Sequence, residues 1–157
     1  MTRWLNGLVG RAAMSGFITL KALATPVALG ACAVAFDRER RVLLVRHSYQ
    51  PGWMLPGGGV GRAEPPVEAV MRELREEVGL LRSQPPEFSG LYTRRAGWAT
   101  NVVAVFTISD VEIDFRPNLE IVEVMFADSR NLPPETTPPT ARRIREVVED
   151  LPRPPFW

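Results

Sequence analysis

Residues 58–80 read GGVGRAEPPVEAVMRELREEVGL, and this stretch decides the fold. Pro65 and Pro66 suit the first turn of a helix, where a missing N–H is harmless, and Gly79 suits its end. At about 100° per residue, the apolar side chains of this predicted helix fall in one narrow sector. They are Val67, Val70, Met71, Leu74 and Val78. The sector predicts a helix that runs to about Val78 and buries one face.

A second face of the same helix carries carboxylates. Glu73, Glu76 and Glu77 share a separate sector, although like charges three and four residues apart destabilise an isolated helix. A compensating charge is therefore expected. In one interpretation Arg72 and Arg75 supply it, and the face is a solvated surface of ion pairs. In the other, divalent cations supply it, because magnesium takes hard oxygen ligands.

The rest of the chain indicates an α/β protein with a mixed sheet covered by helices. A buried strand over 27–36 and a returning strand over 42–45 are predicted to form a hairpin around the polar turn 37–40. Residues 51–61 are rich in glycine and proline, which predicts a loop with unusual backbone demands. Further strands are predicted over 88–95, 100–108 and 121–126, and a closing helix over 140–151.

The first 25 residues form a separate segment. Apolar residues from Leu5 to Leu20 follow the spacing of an amphipathic helix, which predicts an N-terminal helical extension over 1–25 ahead of one domain over 26–157. A signal peptide or a lipoprotein cleavage site at 29–32 is the alternative, but Arg11 and Lys21 interrupt the apolar region. The uncharged run 22–36 is shorter than the roughly 20 residues of a membrane span. We therefore expect a helix that is docked on the domain or touches a membrane, no stable membrane span, and a cytoplasmic protein.

Composition limits the metals and partners to consider. Cys32 is the only cysteine and His47 the only histidine, which excludes an internal disulfide and a cysteine- or histidine-rich metal site. We expect any bound metal to be held by oxygen, which points to magnesium or manganese. His47 ends a strand and is predicted to have a structural, surface or ligand-facing role. The net charge of +1 shows no basic excess, so no nucleic-acid partner is expected.

The spacing within 58–80 resembles the complete Nudix box. That signature asks for glycine, five spacers, glutamate, seven spacers, and then Arg-Glu-apolar-any-Glu-Glu-any-Gly-apolar. All nine specified positions are met, by Gly58, Glu64, Arg72, Glu73, Leu74, Glu76, Glu77, Gly79 and Leu80. The preceding GWMLPGGGV at 52–60 extends the likeness. The chain thus resembles the Nudix hydrolases of the MutT type, which implies an α/β/α sandwich with a mixed sheet.

The resemblance also implies an activity and roles. The activity is divalent-metal-dependent hydrolysis of the pyrophosphate bond of a nucleoside diphosphate linked to another moiety, by attack of metal-activated water on phosphorus. Glu73, Glu76 and Glu77 would bind Mg²⁺, for which Mn²⁺ could substitute, and Arg72 would orient these glutamates. Motif support would come from Gly58, Gly59, Glu64 and Gly79. The base that accepts the water proton would be either Glu73 or Glu120.

The substrate side is predicted from residues downstream of the box. Tyr92, Arg94 and Trp98, together with Arg46, are candidate substrate contacts, because aromatic rings stack on bases and guanidinium groups clasp phosphates. An ordinary strand pair with exposed arginines is the alternative. The expected partner is a small-molecule nucleoside diphosphate derivative. The tail LPRPPFW at 151–157 either folds back onto the domain or meets a partner subunit, so a homodimer is a further alternative.

Two other functions compete with this hydrolase. One is a non-catalytic nucleotide-binding Nudix-like sensor, against which the intact set Glu73, Glu76 and Glu77 argues. The other is an RNA 5′-end pyrophosphohydrolase, to which the modest net charge gives little support. The box indicates the bond that is cleaved, and the residues downstream carry no clear marker of a particular substrate.

Overall fold

The computed structural model describes residues 14–157 and contains three helices and eight strands in that part of the chain. Helix α1 covers residues 14–24, α2 covers Pro66–Val78 and α3 covers Pro138–Val148. The strands are β1 (Val27–Ala35), β2 (Arg41–His47), β3 (Gly57–Gly59), β4 (Leu80–Arg82), β5 (Glu87–Ala96), β6 (Ala99–Ile108), β7 (Glu112–Ile113) and β8 (Ile121–Asp128). The predicted α/β class is confirmed. The part of the predicted N-terminal helix in residues 1–13 lies outside the described residues.

A four-stranded mixed sheet forms the centre of the molecule, in the order β3-β1-β6-β5. Strand β1 runs parallel to β6, whereas β3 and β5 are antiparallel to their neighbours. Two smaller antiparallel pairs, β2 with β8 and β4 with β7, complete the strand arrangement. The box helix α2 therefore follows directly from a strand at the edge of the central sheet.

The predicted hairpin between the first two strands is wrong beyond its turn. Only one bridge, Phe36 with Val42, joins them, and β2 runs along β8 instead, with Val45 opposite Val124. The reason is that both edges of β1 are already taken, by β3 and by β6. Asp37 closes the turn by accepting a hydrogen bond of 2.8 Å from the N–H of Arg41.

The glycine-rich segment is not entirely a loop, because Gly57–Gly59 form strand β3 against β1. Gly57 has φ of 141°, and a Cβ there would collide with the carbonyl oxygen of Ala31 and with Cys32. Glycine is thus required for the two backbones to approach. This pairing brings the start of the box against the middle of the sheet.

The core has two layers, one on each face of β1. Ala31, Ala33 and Ala35 pack towards α2 with Val70 and Leu74. Their neighbours Cys32, Val34 and Phe36 pack on the other face, in the cluster that contains Ile144 of α3. This alternation confirms the sandwich of a sheet between helices. Two predictions of burial are wrong. Residues 27–29, at the start of the predicted buried strand, and Val67, on the predicted apolar face of the helix, are exposed.

Helix α1 lies outside this core. Its large apolar side chains are all exposed, and they are Met14, Phe17, Ile18, Leu20 and Leu23. Within residues 14–157, no helix combines the length and the apolar character that crossing a membrane requires.

Candidate active site

The carboxylate face of α2 meets strand β3, and Glu77 lies between them. Its side chain is buried, with 4% relative exposure, and Oε2 accepts a hydrogen bond of 2.8 Å from the N–H of Gly57. Gly79 ends the helix in the left-handed conformation, with φ of 67°, where a Cβ would collide with the backbone of Asp114. The burial of Glu77 shows that this residue, unlike the exposed Glu76, is not part of a solvated surface.

Arg72 connects the glutamates to strand β3 (Gly57–Gly59), called the glycine strand below. Its guanidinium donates to Glu64 through Nε at 2.9 Å and to Glu73 through Nη1 at 2.7 Å. The same Nη1 reaches Glu76 at 3.1 Å, and Nη2 donates to the carbonyl oxygen of Gly59 at 2.9 Å. These contacts fix the guanidinium plane, and the neighbouring carboxylates raise the pKa of Arg72.

Glu64 holds the loop between β3 and α2. Besides its contacts with Arg72, its Oε2 accepts a hydrogen bond of 2.6 Å from the N–H of Gly61. The Arg72 guanidinium, followed by this backbone donor, lowers the pKa of Glu64. Glu64 is therefore placed as a loop support that stays ionised beside Arg72.

Glu77 carries a strongly perturbed carboxyl group. Burial is the main reason that its pKa rises from 4.5 to about 8, and the nearby charges of Glu73, Glu120 and Glu76 add to the rise. The N–H of Gly57 acts in the opposite direction. Within residues 14–157, Oε1 of Glu77 is buried and has no hydrogen-bond partner. A buried polar atom without a partner is costly and needs an explanation.

Glu120 reaches this site from a loop that is anchored at both ends. The side chain of Asn118 accepts hydrogen bonds from the N–H groups of Glu120 and Ile121, and its Nδ2 donates to the carbonyl oxygen of Glu77. Ser48 binds the other end, where its N–H donates to the carbonyl oxygen of Glu120 at 2.8 Å. Hydrogen bonds to both backbone groups of Glu120 thus hold this residue beside Glu77.

The predicted catalytic and metal-binding glutamates meet in one cavity of about 320 Å³, which Arg72 does not line. It is lined by Glu73, Glu76, Glu77, Asn118, Leu119 and Glu120. These residues fit a divalent cation, because the donors are hard oxygens and the buried Oε1 of Glu77 has an unmet need for a positive partner. We infer this fit from Glu77 above all, since the exposed Glu76 could be solvated without an ion.

His47, for which the sequence left a structural, surface or ligand-facing role open, lies close to these carboxylates. One of its ring nitrogens, one oxygen of Glu77 and one oxygen of Glu120 all lie within 4.8 Å of one another. Burial lowers the pKa of His47, and the charge of Glu120 acts in the opposite direction. Its place at the end of a predicted strand, beside Arg46, was the sequence signal for a ligand-facing role.

A cleft of about 500 Å³ borders the carboxylate cavity. Its walls include Gly58 and Gly59, Arg94 and Asn101 of the β5–β6 pair, and Trp157. The tail folds back onto β5, because the N–H of Thr93 donates to Pro155 at 2.8 Å and the N–H of Trp157 donates to Thr93 at 3.0 Å. Of the two predicted positions for the tail, the structure shows the one on its own domain.

Tyr92 is not in this cleft, and its prediction as a substrate contact is corrected. The side chain is buried, and its hydroxyl donates to Oε2 of Glu146 at 2.8 Å. The guanidinium of Arg143 lies 3.9 Å from the centroid of the Tyr92 ring and donates to the same carboxylate at 2.7 Å. Burial, with the hydrogen bond to Glu146, raises the pKa of Tyr92 to about 12. Tyr92 is therefore part of the packing between β5 and α3.

The other three predicted substrate residues lie in different places. Arg94 lines the 500 Å³ cleft, whereas Trp98 is 82% exposed in the β5–β6 turn and does not line it. Arg46 stacks on Trp53, with its guanidinium 4.5 Å from the ring centroid, and contacts Glu135 at 2.7 Å. It lines a neighbouring open cavity of about 880 Å³.

Known structures share this fold. A MutT NUDIX hydrolase from Burkholderia pseudomallei superposes with a TM-score of 0.67 at 24% identity, over 77% of this chain and 98% of that one. The MutT protein of Methanosarcina mazei Go1 gives a TM-score of 0.63 at 25% identity, over 80% of this chain and 95% of that one. The first likeness shows the fold alone.

Sequence relatives are similar over a shorter stretch. An RNA pyrophosphohydrolase from Xanthomonas oryzae is 42% identical over 65 residues, which are 41% of this chain and 30% of that protein. The RNA pyrophosphohydrolase of Gluconacetobacter diazotrophicus is 42% identical over 60 residues, 32% of this chain and 36% of that one. The matched stretches thus span about a third of these relatives. The family model described as NUDIX domain matches residues 26–151, most of the chain, and the protein therefore belongs to the NUDIX family.

Proposed function

We propose that this protein is a divalent-metal-dependent hydrolase of the pyrophosphate bond in a nucleoside diphosphate linked to another moiety. The observation that carries the proposal is the buried Glu77, which has one unpartnered carboxylate oxygen and lines a cavity together with Glu73, Glu76 and Glu120. The hydrogen bond from the N–H of Gly57 satisfies only one of the two carboxylate oxygens, and the other is left for a cation. Membership of the NUDIX family supports the same reaction class.

In this proposal Glu73, Glu76 and Glu77 hold the cation, which is Mg²⁺ with Mn²⁺ as a substitute. When bound, the cation neutralises phosphate oxygens and makes water a better nucleophile near neutral pH. Arg72 keeps Glu73 and Glu76 in place through contacts of 2.7 and 3.1 Å. Gly58 leaves room for the Glu73 carboxylate, since a Cβ at this position would lie 2.6 Å from it.

The proton of the attacking water needs an acceptor, and two carboxylates are candidates. Glu73 is held by Arg72, whereas Glu120 accepts a hydrogen bond of 3.1 Å from the hydroxyl of Tyr49. A base contributes typically 10²- to 10⁴-fold to the rate. At saturating Mg²⁺, the glutamine variant of the true base should therefore still lose that factor in kcat. A residue that acts only as a cation ligand should recover most of its kcat as the Mg²⁺ concentration is raised.

The substrate is proposed to lie in the 500 Å³ cleft, with Arg94 near its phosphates and Trp157 beside its nucleobase. This assignment rests on the residues that line the cleft and on its border with the glycine strand. Small nucleotide derivatives fit such a volume, because ligand pockets of about 300–1,000 Å³ are usual for them. A cytoplasmic location is consistent with this substrate class.

An RNA 5′-end pyrophosphohydrolase is the second candidate. The relatives of that name, 42% identical over 65 residues, favour it. The net charge of +1 does not, since binding of an RNA strand usually involves a basic face. Both candidates share the carboxylate cavity and differ in what occupies the cleft.

A hydrolysis screen tests these proposals. Nucleotides, nucleotide sugars, dinucleotides and a 5′-triphosphorylated RNA are incubated with the protein and Mg²⁺. Glu76→Gln should lose nearly all turnover and keep its fold, whereas Glu68→Gln, an exposed carboxylate on the same helix, should match the wild type. Full activity of Glu76→Gln would overturn the cation site. Binding of a nucleotide with no turnover would favour the sensor function.

A further inference from the structure

His47 lies where its ring nitrogen would be a third ligand beside two carboxylates. Its ring nitrogen and the carboxylate oxygens of Glu77 and Glu120 are mutually within 4.8 Å. That spacing is close to what three ligands of one ion require, because donor atoms at about 2.0–2.2 Å from a metal lie some 3–4 Å apart. A small movement of side chains would therefore let one cation contact all three.

The backbone positions His47 for this contact. The register of β2 against β8 shifts between Arg46 and His47, so that Arg46 faces Glu123 and His47 faces Ile121. The extra residue of this bulge is Val122 on β8, and the shift places Ile121, the neighbour of Glu120, opposite His47. Immediately after the shift, the hydroxyl of Ser48 donates to the carbonyl oxygen of Leu119 at 2.7 Å. His47 and the Glu120 loop are thereby held side by side.

Two buried atoms of this group lack partners. Among residues 14–157, neither Nδ1 of His47 nor Oε1 of Glu77 has a hydrogen-bond partner, and Glu77 is only 4% exposed. Tyr49 satisfies one oxygen of Glu120 through its hydroxyl and packs its ring 5.1 Å from the imidazole ring. A cation between the imidazole and the carboxylates would give the buried carboxyl group of Glu77 the positive partner that it lacks.

We propose that His47 supplies a nitrogen ligand to a divalent cation that Glu77 and Glu120 also bind. The proposal rests on the hydrolase function above and revises the expectation that oxygen alone holds the metal. A neutral imidazole suits transition metals better than magnesium. The site should therefore prefer Mn²⁺ or Co²⁺ over Mg²⁺ more strongly than a site with carboxylates alone.

Pulsed electron paramagnetic resonance of bound Mn²⁺ tests this directly. His47 is the only histidine, so protein labelled with ¹⁵N-histidine and freed of any purification tag has one possible source of a labelled imidazole signal. The wild type should show ¹⁵N hyperfine coupling to Mn²⁺, and His47→Gln should not. Tyr49→Phe, which removes only the exposed hydroxyl next to Glu120, should keep the coupling.

Calorimetric titration with Mn²⁺ and with Mg²⁺ gives a second readout. His47→Gln should weaken Mn²⁺ at least about tenfold, the lower end of the cost of losing even an outer-shell partner. Its affinity for Mg²⁺ should fall less. Thermal melting of the variant checks that it is folded.

The outcomes separate the two proposals. Bound Mn²⁺ without labelled nitrogen coupling in the wild type would overturn the role of His47, and Mg²⁺-dependent turnover would then leave the proposed function intact. A wild type that binds neither cation would overturn both. Equal weakening of Mn²⁺ and Mg²⁺ in a folded His47→Gln would count against a nitrogen ligand and for a packing role.

Discussion

The N–H of Gly57 donates a hydrogen bond of 2.8 Å to one carboxylate oxygen of Glu77, while the other oxygen of Glu77 is buried without a partner within residues 14–157. The carboxyl group of Glu77 thus joins strand β3 to helix α2. Its pKa is raised from the ordinary 4.5 to about 8. Because only one of its two buried oxygens is hydrogen-bonded, this carboxyl group is stabilised when it binds a proton or a cation.

The first prediction concerns stability in the absence of cations. The pKa of Glu77 is about 8 in the folded state against 4.5 ordinarily, so between these values the folded state holds a proton that the unfolded state releases. Stability from this group is therefore complete below pH 4.5 and is lost as the pH rises through 8. Relative to Glu77→Gln, the wild type in a chelator should lose on the order of a few kcal/mol over this range.

Urea denaturation at several pH values measures this difference. Excess Mg²⁺ should flatten the profile of the wild type, because the cation replaces the proton on Glu77. Profiles of the wild type and Glu77→Gln that stay parallel in chelator would contradict the raised pKa.

The second prediction concerns the space beside Glu73. A Cβ on Gly58 would lie 2.6 Å from the Glu73 carboxylate, whereas one on Gly59 would meet nothing within 4 Å. Gly58→Ala should therefore displace Glu73 and lower kcat about 100-fold, as an ångström of misplacement can do. Gly59→Ala adds a methyl group to the cleft wall without contacting Glu73, and it is the matched control for kcat, which should stay close to that of the wild type at saturating substrate. Similar losses in both variants would mean that backbone freedom, and not this contact, limits the site.

The third prediction concerns the buried polar contact between β5 and α3. Tyr92→Phe removes the hydroxyl that donates to Glu146 at 2.8 Å and leaves a buried carboxylate oxygen without that donor. The free energy of unfolding should fall by about 1–3 kcal/mol, as measured by chemical denaturation. The exposed Trp98→Ala should change it by no more than about 0.5 kcal/mol. A stable Tyr92→Phe would show that Arg143 alone satisfies Glu146.

The fourth prediction concerns the tail as part of the substrate site. Trp157 lines the 500 Å³ cleft, whereas its neighbour Phe156 is 69% exposed and does not line it. Trp157→Ala should raise KM roughly tenfold with kcat nearly unchanged, the behaviour of a contact made equally in ground and transition states. Steady-state kinetics on the best substrate of the screen measures this. Phe156→Ala should leave KM unaltered, and equal effects of the two would assign the change to the tail as a whole.

The box helix could be predicted closely because its signals are local. Prolines at its start, Gly79 at its end and the spacing of its apolar residues all lie within one segment, and α2 ends at Val78 as expected. The partner of β2 could not be predicted this way. One edge of β1 is occupied by β6, a strand from far along the chain. The alternation of apolar residues does not indicate which edges of a strand other strands will occupy.

The candidate site was predictable to the same extent. Glu73, Glu76 and Glu77 follow from helix periodicity, whereas the place of His47 follows from a bulge and a loop. Tyr49 and Glu120, which border it, are 71 residues apart in the sequence. Tyr92 was misassigned because a strand has two faces, and an aromatic residue with a hydroxyl suits either a ligand or a buried carboxylate.

The tail that folds onto β5 also affects how the protein meets other copies of itself. β5 is the outermost strand of the central sheet, and such strands offer free N–H and C=O groups to other chains. Both backbone groups of Thr93 are already engaged by Pro155 and Trp157, and a proline has no N–H to offer a newcomer. The tail that contributes Trp157 to the cleft therefore also prevents another chain from pairing with this part of β5. Removal of the tail should promote aggregation and weaken substrate binding.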